Sequence, residues 1–298
     1  MTMSKNWFIT GSSRGLGRSL VVAALGAGDR VVATARKPEA LADLAATYAD
    51  RLIPLALDVT DAAAAKTAIA QAVERVGRLD VVVNNAGQGF LGAFEEMTED
   101  EFDAQIDLNF FGVVNVSRAA IPVLRAQRGG HLIQVSSVGG RAGAPGLSGY
   151  QAAKFAVEGF SEVLWHELKP LGVSVTIVEP GGFRTDWAGA SMAWTQPIED
   201  YKAIREFRAA VMKKRGYELG DPDRGAKAIV AVAQMATPPL RLPLGSDAYA
   251  YLKLTYESNL AELERTKELT ISTDFPDATS TVGQLSTMFD RRSPAGNG

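Results

Sequence analysis

Residues Trp7 to Leu25 read WFITGSSRGLGRSLVVAAL. A short apolar run, Trp7 to Thr10, meets a turn holding Gly11, Gly15 and Gly17. Leu20, Val21, Ala24 and Leu25 then recur at the spacing of one helix face. The order is strand, glycine turn, helix. Glycines allow a tight turn and let backbone N–H groups come close to a phosphate, and the following helix N-terminus adds positive partial charge. That chemistry suits the pyrophosphate of a dinucleotide. The spacing is G-x-x-x-G-x-G, not the G-x-G-x-x-G of the standard fingerprint, so a plain connector is the competing reading.

Arg30 to Thr34 (RVVAT) predicts a second strand, ending at Ala35, Arg36 and Lys37. An acidic residue near this strand end would grip the 2′-hydroxyl of an NAD ribose. Two bases stand there instead. With Arg14 in the glycine turn they favour a 2′-phosphate, and so NADP(H) over NAD(H), unless Arg36 and Lys37 are only solvated loop charges. Leu52 to Leu57 predicts a third strand closed by Asp58, then a helix from about Asp61 to Val76 with Asp61 as its N-cap. Leu79 to Val83 (LDVVV) runs into Asn84, Asn85, Ala86 and Gly87. Near-continuous valines suit a parallel strand buried on both faces, and alternating strands and helices indicate a doubly wound α/β sheet.

Further strands are expected at His131–Val135, Ser174–Val178 and Leu240–Leu244, making seven, with a helix from about Phe102 to Arg128 between the fourth and fifth. Ligands of such sheets sit beyond the carboxyl ends of the strands, where Thr10, Asp58, Asn84, Ser137 and the turn after Glu179 would gather. Residues 186–220 break the pattern, with Trp187, Met192 and Trp194 set among charges. With Phe90 and Phe94 they read as an apolar lid over a bulky hydrophobic ketone or alcohol, or as a surface insertion. A helix to about Met235, a last helix near Asp247 to Lys267 and a polar tail from Ser272 complete one expected domain, with its core at 5–245, a lid at 186–220 and an extension over 246–298.

The chemistry concentrates in Ser137 to Lys154, SVGGRAGAPGLSGYQAAK. Tyr150 and Lys154 are four apart at the start of an apolar-periodic segment, so on a helix they share a face. The field of the Lys154 ammonium favours a phenolate and is expected to bring Tyr150 below the roughly 10 of a free tyrosine, making it a general acid/base. The Ser137 hydroxyl could hydrogen-bond a substrate oxygen beside that phenol. Asn109, in DLNFFG, reads by position alone as a packing or capping residue within the long helix.

The totals exclude several classes. The chain has 298 residues, 46% of them hydrophobic, and a net charge of 31 − 34 = −3 with basic residues spread along it, so neither nucleic acid nor an anionic membrane is an expected partner. There is no cysteine, and the two histidines, His131 and His166, are far apart, so no metal site is expected. MTMSKNWFIT has no apolar targeting core, and no apolar stretch approaches the roughly 20 residues of a membrane span. A cytoplasmic location is the expectation.

Taken together, these motifs resemble the short-chain dehydrogenase/reductase family over roughly residues 5 to 245. TGSSRGLG (Thr10–Gly17) matches its cofactor turn, NNAG (Asn84–Gly87) its central-strand motif, and Asn109, Ser137, Tyr150 and Lys154 its four catalytic positions. The resemblance implies a Rossmann-type fold and hydride transfer between NADP(H) and a carbonyl or alcohol. Ser137 would polarise the carbonyl, Tyr150 would protonate it, Lys154 would lower the Tyr150 pKa and bond the nicotinamide ribose, and Asn109 would hold a relay water. Gly11, Ser13, Arg14, Gly15, Leu16 and Gly17 would meet the dinucleotide. Arg36 would meet its 2′-phosphate, and Asp58 and Val59 the adenine. Asn85, Ala86 and Gly87 would line the crevice with Tyr150 and Lys154, and Pro180, Gly181 and Thr185 would hold the nicotinamide. Within the family the chain is more like bacterial oxidoreductases of open substrate range, distantly similar to hydroxysteroid and retinol dehydrogenases. Homodimers or homotetramers built through the helices around 102–128 and 150–171 are also implied. A nucleotide-sensing binding protein, or an epimerase or dehydratase, could share the fold.

Overall fold

The computed structural model describes residues 4–185, 192–195, 198–213 and 216–277. Its first compact unit, residues 1–253, is built on a parallel sheet of β1 (Asn6–Ile9), β2 (Arg30–Ala35), β3 (Leu52–Ala56), β4 (Val81–Asn84), β6 (Gly130–Val135), β7 (Val173–Pro180) and β9 (Arg241–Leu244). The spatial order is β3-β2-β1-β4-β6-β7-β9. The chain winds outward from β1 to β3 on one side and from β4 to β9 on the other. The reversal therefore lies between β1 and β4, where a crevice opens at the carboxyl ends.

Strict alternation along each strand feeds two apolar layers. Trp7, Ile9, Val31, Ala33, Val81 and Val83 face α1 (Gly15–Gly26) and α8 (Pro222–Ala233), packing on Leu20, Leu25, Ile229 and Val230. Phe8, Val32 and Val82 face the other way, onto α3 (Ala62–Val76), α5 (Gly112–Gln127) and α6 (Ser148–Leu168). This doubly wound, seven-stranded arrangement is the α/β fold that the sequence predicts. Asp61 caps α3 by accepting from the Ala63 and Ala64 amides at 2.8 and 2.9 Å, as its position implied.

Three features differ from the sequence reading. The expected single helix at 102–128 is α4 (Glu99–Ile106), a π-helical turn at Asp107–Phe111, and α5. The Asn109 amide Nδ2 donates to the Gln105 carbonyl at 3.0 Å, and the Gly112 amide reaches five residues back to Asp107. A side chain competing for ladder carbonyls widens the helix locally. Second, β5 (Gly89–Leu91) pairs in parallel with β8 (Met192–Trp194), a short sheet that alternation could not reveal. Third, part of the expected irregular lid is α7 (Lys202–Lys213). Trp187 lies outside the described residues, as do the side chains of Met192 and Trp194. Phe90 is buried, whereas Phe94 is exposed and sits edge-on to Phe102.

The second unit, residues 254–298, is described to residue 277 and is helical through Ile271, with Leu260, Leu263 and Leu269 exposed.

Candidate active site

Ser137 follows β6 and caps the short turn Val138–Gly140, its Oγ accepting the Gly139 amide at 3.0 Å. That leaves its hydroxyl hydrogen free to donate. It hydrogen-bonds Tyr150, which stands with Lys154 on the buried face of α6. Tyr150 is 7% exposed and Lys154 4%. The Lys154 ammonium donates to the Val135 carbonyl at 2.8 Å and lies 5.7 Å from the centre of the Tyr150 ring. Asn109 is fully buried; its Oδ1 accepts the Gln88 amide at 3.1 Å and its Nδ2 donates to the Gln88 carbonyl at 2.9 Å. A methyl group placed on Gly87 would come within 2.8 Å of Asn109 Oδ1 and 3.7 Å of Lys154 Nζ. Gly87 therefore sits between those two groups, and all four expected catalytic side chains gather at one sheet edge.

The electrostatics correct one expectation. Burial pushes Tyr150 up to about 12, and the Ser137 hydrogen bond is the downward influence; the Lys154 field does not bring it below 10. The ammonium is drawn to the Val135 carbonyl rather than to the phenol oxygen, so desolvation decides the outcome. Burial also lowers Lys154 to about 8, against the upward pull of Glu158. At neutral pH Tyr150 is thus a phenol with a proton to give.

The glycine turn fits a dinucleotide. Gly11 and Gly15 have φ of 65° and 55°, in the left-handed region. A Cβ on Gly17 would lie 2.3 Å from the Gly11 carbonyl and 2.4 Å from Asn85 Nδ2, so only glycine lets α1 start this close to the turn. No side chain caps the N-terminus of α1 and its first turn holds no acid, leaving its amides to an anion. Ser13 is half-buried and Arg14 exposed at the turn, with Leu16 packed beneath it. Arg36 is exposed just past β2, close enough to Asp58 to help hold that carboxyl below its usual range; hydrogen bonds from Thr60 are the larger cause. Val59 is buried against Gly112.

Asn85 clamps the crevice, donating to the Thr10 and Gly11 carbonyls at 2.9 and 3.1 Å, while the Ala86 amide donates to Thr10 Oγ1 at 3.1 Å. Pro180 ends β7, and the Gly181 amide bonds the Leu244 carbonyl at 3.0 Å. Thr185 comes back to the start of α1, its Cβ 3.5 Å from where a Cβ on Gly15 would lie. A recess of about 630 Å³ opens beside Gly15 and Thr185, walled also by Arg18, Arg184 and Asp223; the Tyr150 cluster does not line it.

Sequence reasoning missed Asp247, whose carboxylate accepts the Gly182 amide at 2.8 Å and braces the Gly181–Gly182 turn from 65 residues away. It also missed Gln134 and Ser117, which bond the Asn84 amide at 2.8 and 3.0 Å under the crevice floor. Neither had a local signal. His131 is a core residue, its Nε2 2.9 Å from Thr176 Oγ1, and His166 lies against Trp165. Among the described residues no group of three His, Asp or Glu side chains could hold a metal ion, and no helix is long and apolar enough to cross a membrane.

A crevice at the switch point of a doubly wound sheet, edged by a glycine turn and a Ser–Tyr–Lys cluster, defines a nucleotide-dependent class of protein. The sequence profile described as short chain dehydrogenase matches residues 5–196. Oxidoreductase BOA17 of Botryotinia fuckeliana is 47% identical over 91% of this chain and 99% of its own. The crystal structure of a short-chain dehydrogenase from Streptomyces avermitilis is 39% identical, with a TM-score of 0.86 over 92% of this chain and 99% of that one. A metagenomic short-chain oxidoreductase in complex with NADP is 25% identical, with a TM-score of 0.66 over 82% and 98%. The chain belongs to the short-chain dehydrogenase family and is an oxidoreductase of that family.

Proposed function

We propose that this chain is an NADP(H)-dependent carbonyl reductase or alcohol dehydrogenase, acting on CH–OH groups and their ketones or aldehydes. Asn109, Ser137, Tyr150 and Lys154 form its catalytic set, within one catalytic domain that carries a helical extension. The observation that carries the reading is the buried, hydrogen-bonded Ser137–Tyr150 pair beside Lys154, at the same sheet edge as the glycine turn.

When bound, the nicotinamide supplies or accepts the hydride. The residues of the chain do the rest. Ser137 donates its hydroxyl hydrogen to the carbonyl oxygen and orients it. Tyr150 holds a proton on its phenol oxygen and gives it to that same oxygen as negative charge develops there; the reverse reaction returns it. Lys154 fixes the neighbourhood of the phenol through its bond to Val135 and offers its remaining donors to the nicotinamide ribose. Asn109 holds the Gln88 loop in place at the mouth of the site and is positioned for a relay water. The uncapped N-terminus of α1 takes the pyrophosphate, Arg14 and Arg36 the 2′-phosphate, and Asp58 and Val59 the adenine. Pro180, Gly181 and Thr185 border the nicotinamide.

The substrate in this reading is a bulky apolar ketone or alcohol in preference to a small polar one. Exposed Phe111, Phe155 and Val163 support association into a homodimer or homotetramer through α5 and α6.

The deciding experiment follows NADPH and NADH consumption by absorbance against paired large apolar and small polar ketones, with nicotinamide fluorescence to measure cofactor binding. Turnover is expected with NADPH and the apolar set, and the preference for NADPH should weaken in Arg36→Ala. Bound cofactor without turnover of any carbonyl would favour a nucleotide-sensing protein instead.

A further inference from the structure

Behind the Tyr150 site lies a buried charge cluster that the mechanism above does not use. Glu158 stands four residues after Lys154 on α6, on the same face. Glu179 is the residue of β7 just before Pro180 and is fully buried; Glu158 is 4% exposed. Arg141 Nη1 lies 3.6 Å from Glu158 Oε2 and 3.5 Å from Glu179 Oε1. Arg241 Nε lies 3.0 and 3.5 Å from the same two atoms, and its Nη2 is 2.8 Å from Glu162 Oε2.

That leaves the other oxygen of each carboxyl, Glu158 Oε1 and Glu179 Oε2. Both are buried with no hydrogen-bond partner among the described residues. Glu158 Oε2 and Glu179 Oε1 lie on the same two guanidinium nitrogens, so the two carboxyls crowd one another where water is excluded. Two carboxylates in one such place repel and can only accept; one proton between them relieves both problems. With that proton, Arg141, Arg241 and the Lys154 ammonium face two negative charges, Glu162 and the pair; without it they face three.

We propose that Glu158 and Glu179 share a single proton and that this pair governs the charge state of Lys154, making both glutamates positioning residues for the catalytic ammonium. The inference rests on the assignment of Lys154 to the active site. The charged groups facing the pair are Lys154 and Glu162 from α6, Arg141 from the turn after Ser137, and Arg241 from β9. Burial, and then the neighbouring Glu158, pushes Glu179 up to about 7, while burial pulls Lys154 down to about 8. As pH rises past the first value the pair releases its proton and gains a negative charge. That new charge holds the Lys154 ammonium where burial alone would strip it.

Two measurements that need no substrate test this. In protein carrying ¹³C-carboxyl glutamate, infrared spectra below about pH 7 should show a protonated carboxyl band that fades as pH rises. The band should vanish in Glu158→Gln and in Glu179→Gln; its absence from the unmodified protein overturns the proposal whatever the variants do. The ¹⁵Nζ resonance of Lys154, assigned by its loss in Lys154→Met, should titrate about one pH unit lower in Glu158→Gln than in the unmodified protein. An unchanged midpoint overturns the coupling. If both signals behave as expected in a protein that reduces no carbonyl, the proposed activity fails and the proton-sharing pair stands.

Discussion

Tyr150 keeps its proton at neutral pH because the phenolate has no water to solvate it, and Ser137 offsets only part of that cost. The site is therefore set for protonating a carbonyl. Tyr150→Phe is expected to lower kcat by about 10³-fold, in the range of a lost general acid, while NADPH affinity by fluorescence stays within about twofold. Ordinary turnover in that variant would refute the assignment. Lys154 is charged below about 8 and neutral above it. Since the ammonium is the working form, kcat should fall as pH rises through that region, the limb moving with the Lys154 midpoint. These two side chains were legible in the sequence because four residues make one helical turn. Their protonation was not legible, because burial is a property of everything packed around them.

At the scale of elements, the turn between β1 and α1 has no slack. In Gly17→Ala the new methyl group would meet the Gly11 carbonyl and the Asn85 amide at once, so both the turn and the clamp from β4 must shift. Overpacking of this kind costs about 1–3 kcal/mol. Thermal melts should show the loss, and NADPH binding should weaken with it; a variant that melts and binds like the unmodified protein would show that α1 can back away. The π-turn at Asp107–Phe111 belongs to this scale too. Its cause is Asn109 bonding both Gln105 and Gln88, and the second partner is contributed by a loop 21 residues earlier. Helical periodicity alone carried no sign of it.

For the molecule as a whole, His131 links pH to stability. It is buried between β6 and β7, and Thr176, whose hydroxyl donates to the Pro239 carbonyl, accepts from its ring. Burial lowers it to about 4, against 6.5 for an exposed histidine. Between those values the unfolded chain binds a proton that the folded one refuses, so stability is fully present above 6.5 and falls as pH drops toward 4, by about 3 kcal/mol. Urea unfolding at neutral and acid pH should show that slope, and His131→Gln should flatten it. An unchanged slope in the variant would assign the acid sensitivity to other groups.

The seven strands of the main sheet, the helices α1, α3, α6 and α8, the glycine turn and the placing of Ser137, Tyr150 and Lys154 were legible in the amino-acid order alone. Each is written in spacing between near neighbours, and backbone geometry turns such spacing directly into faces and turns. Folding in three dimensions set the pairing of β5 with β8, the brace from Asp247, the buried phenol of Tyr150 and the Glu158–Glu179 pair between Arg141 and Arg241. Those depend on groups far apart in the chain, 65 residues for Asp247 and Gly182 and 83 for Arg241 and Glu158, meeting where water is excluded, and neither a distance through space nor a loss of solvation is carried by the local pattern of a chain.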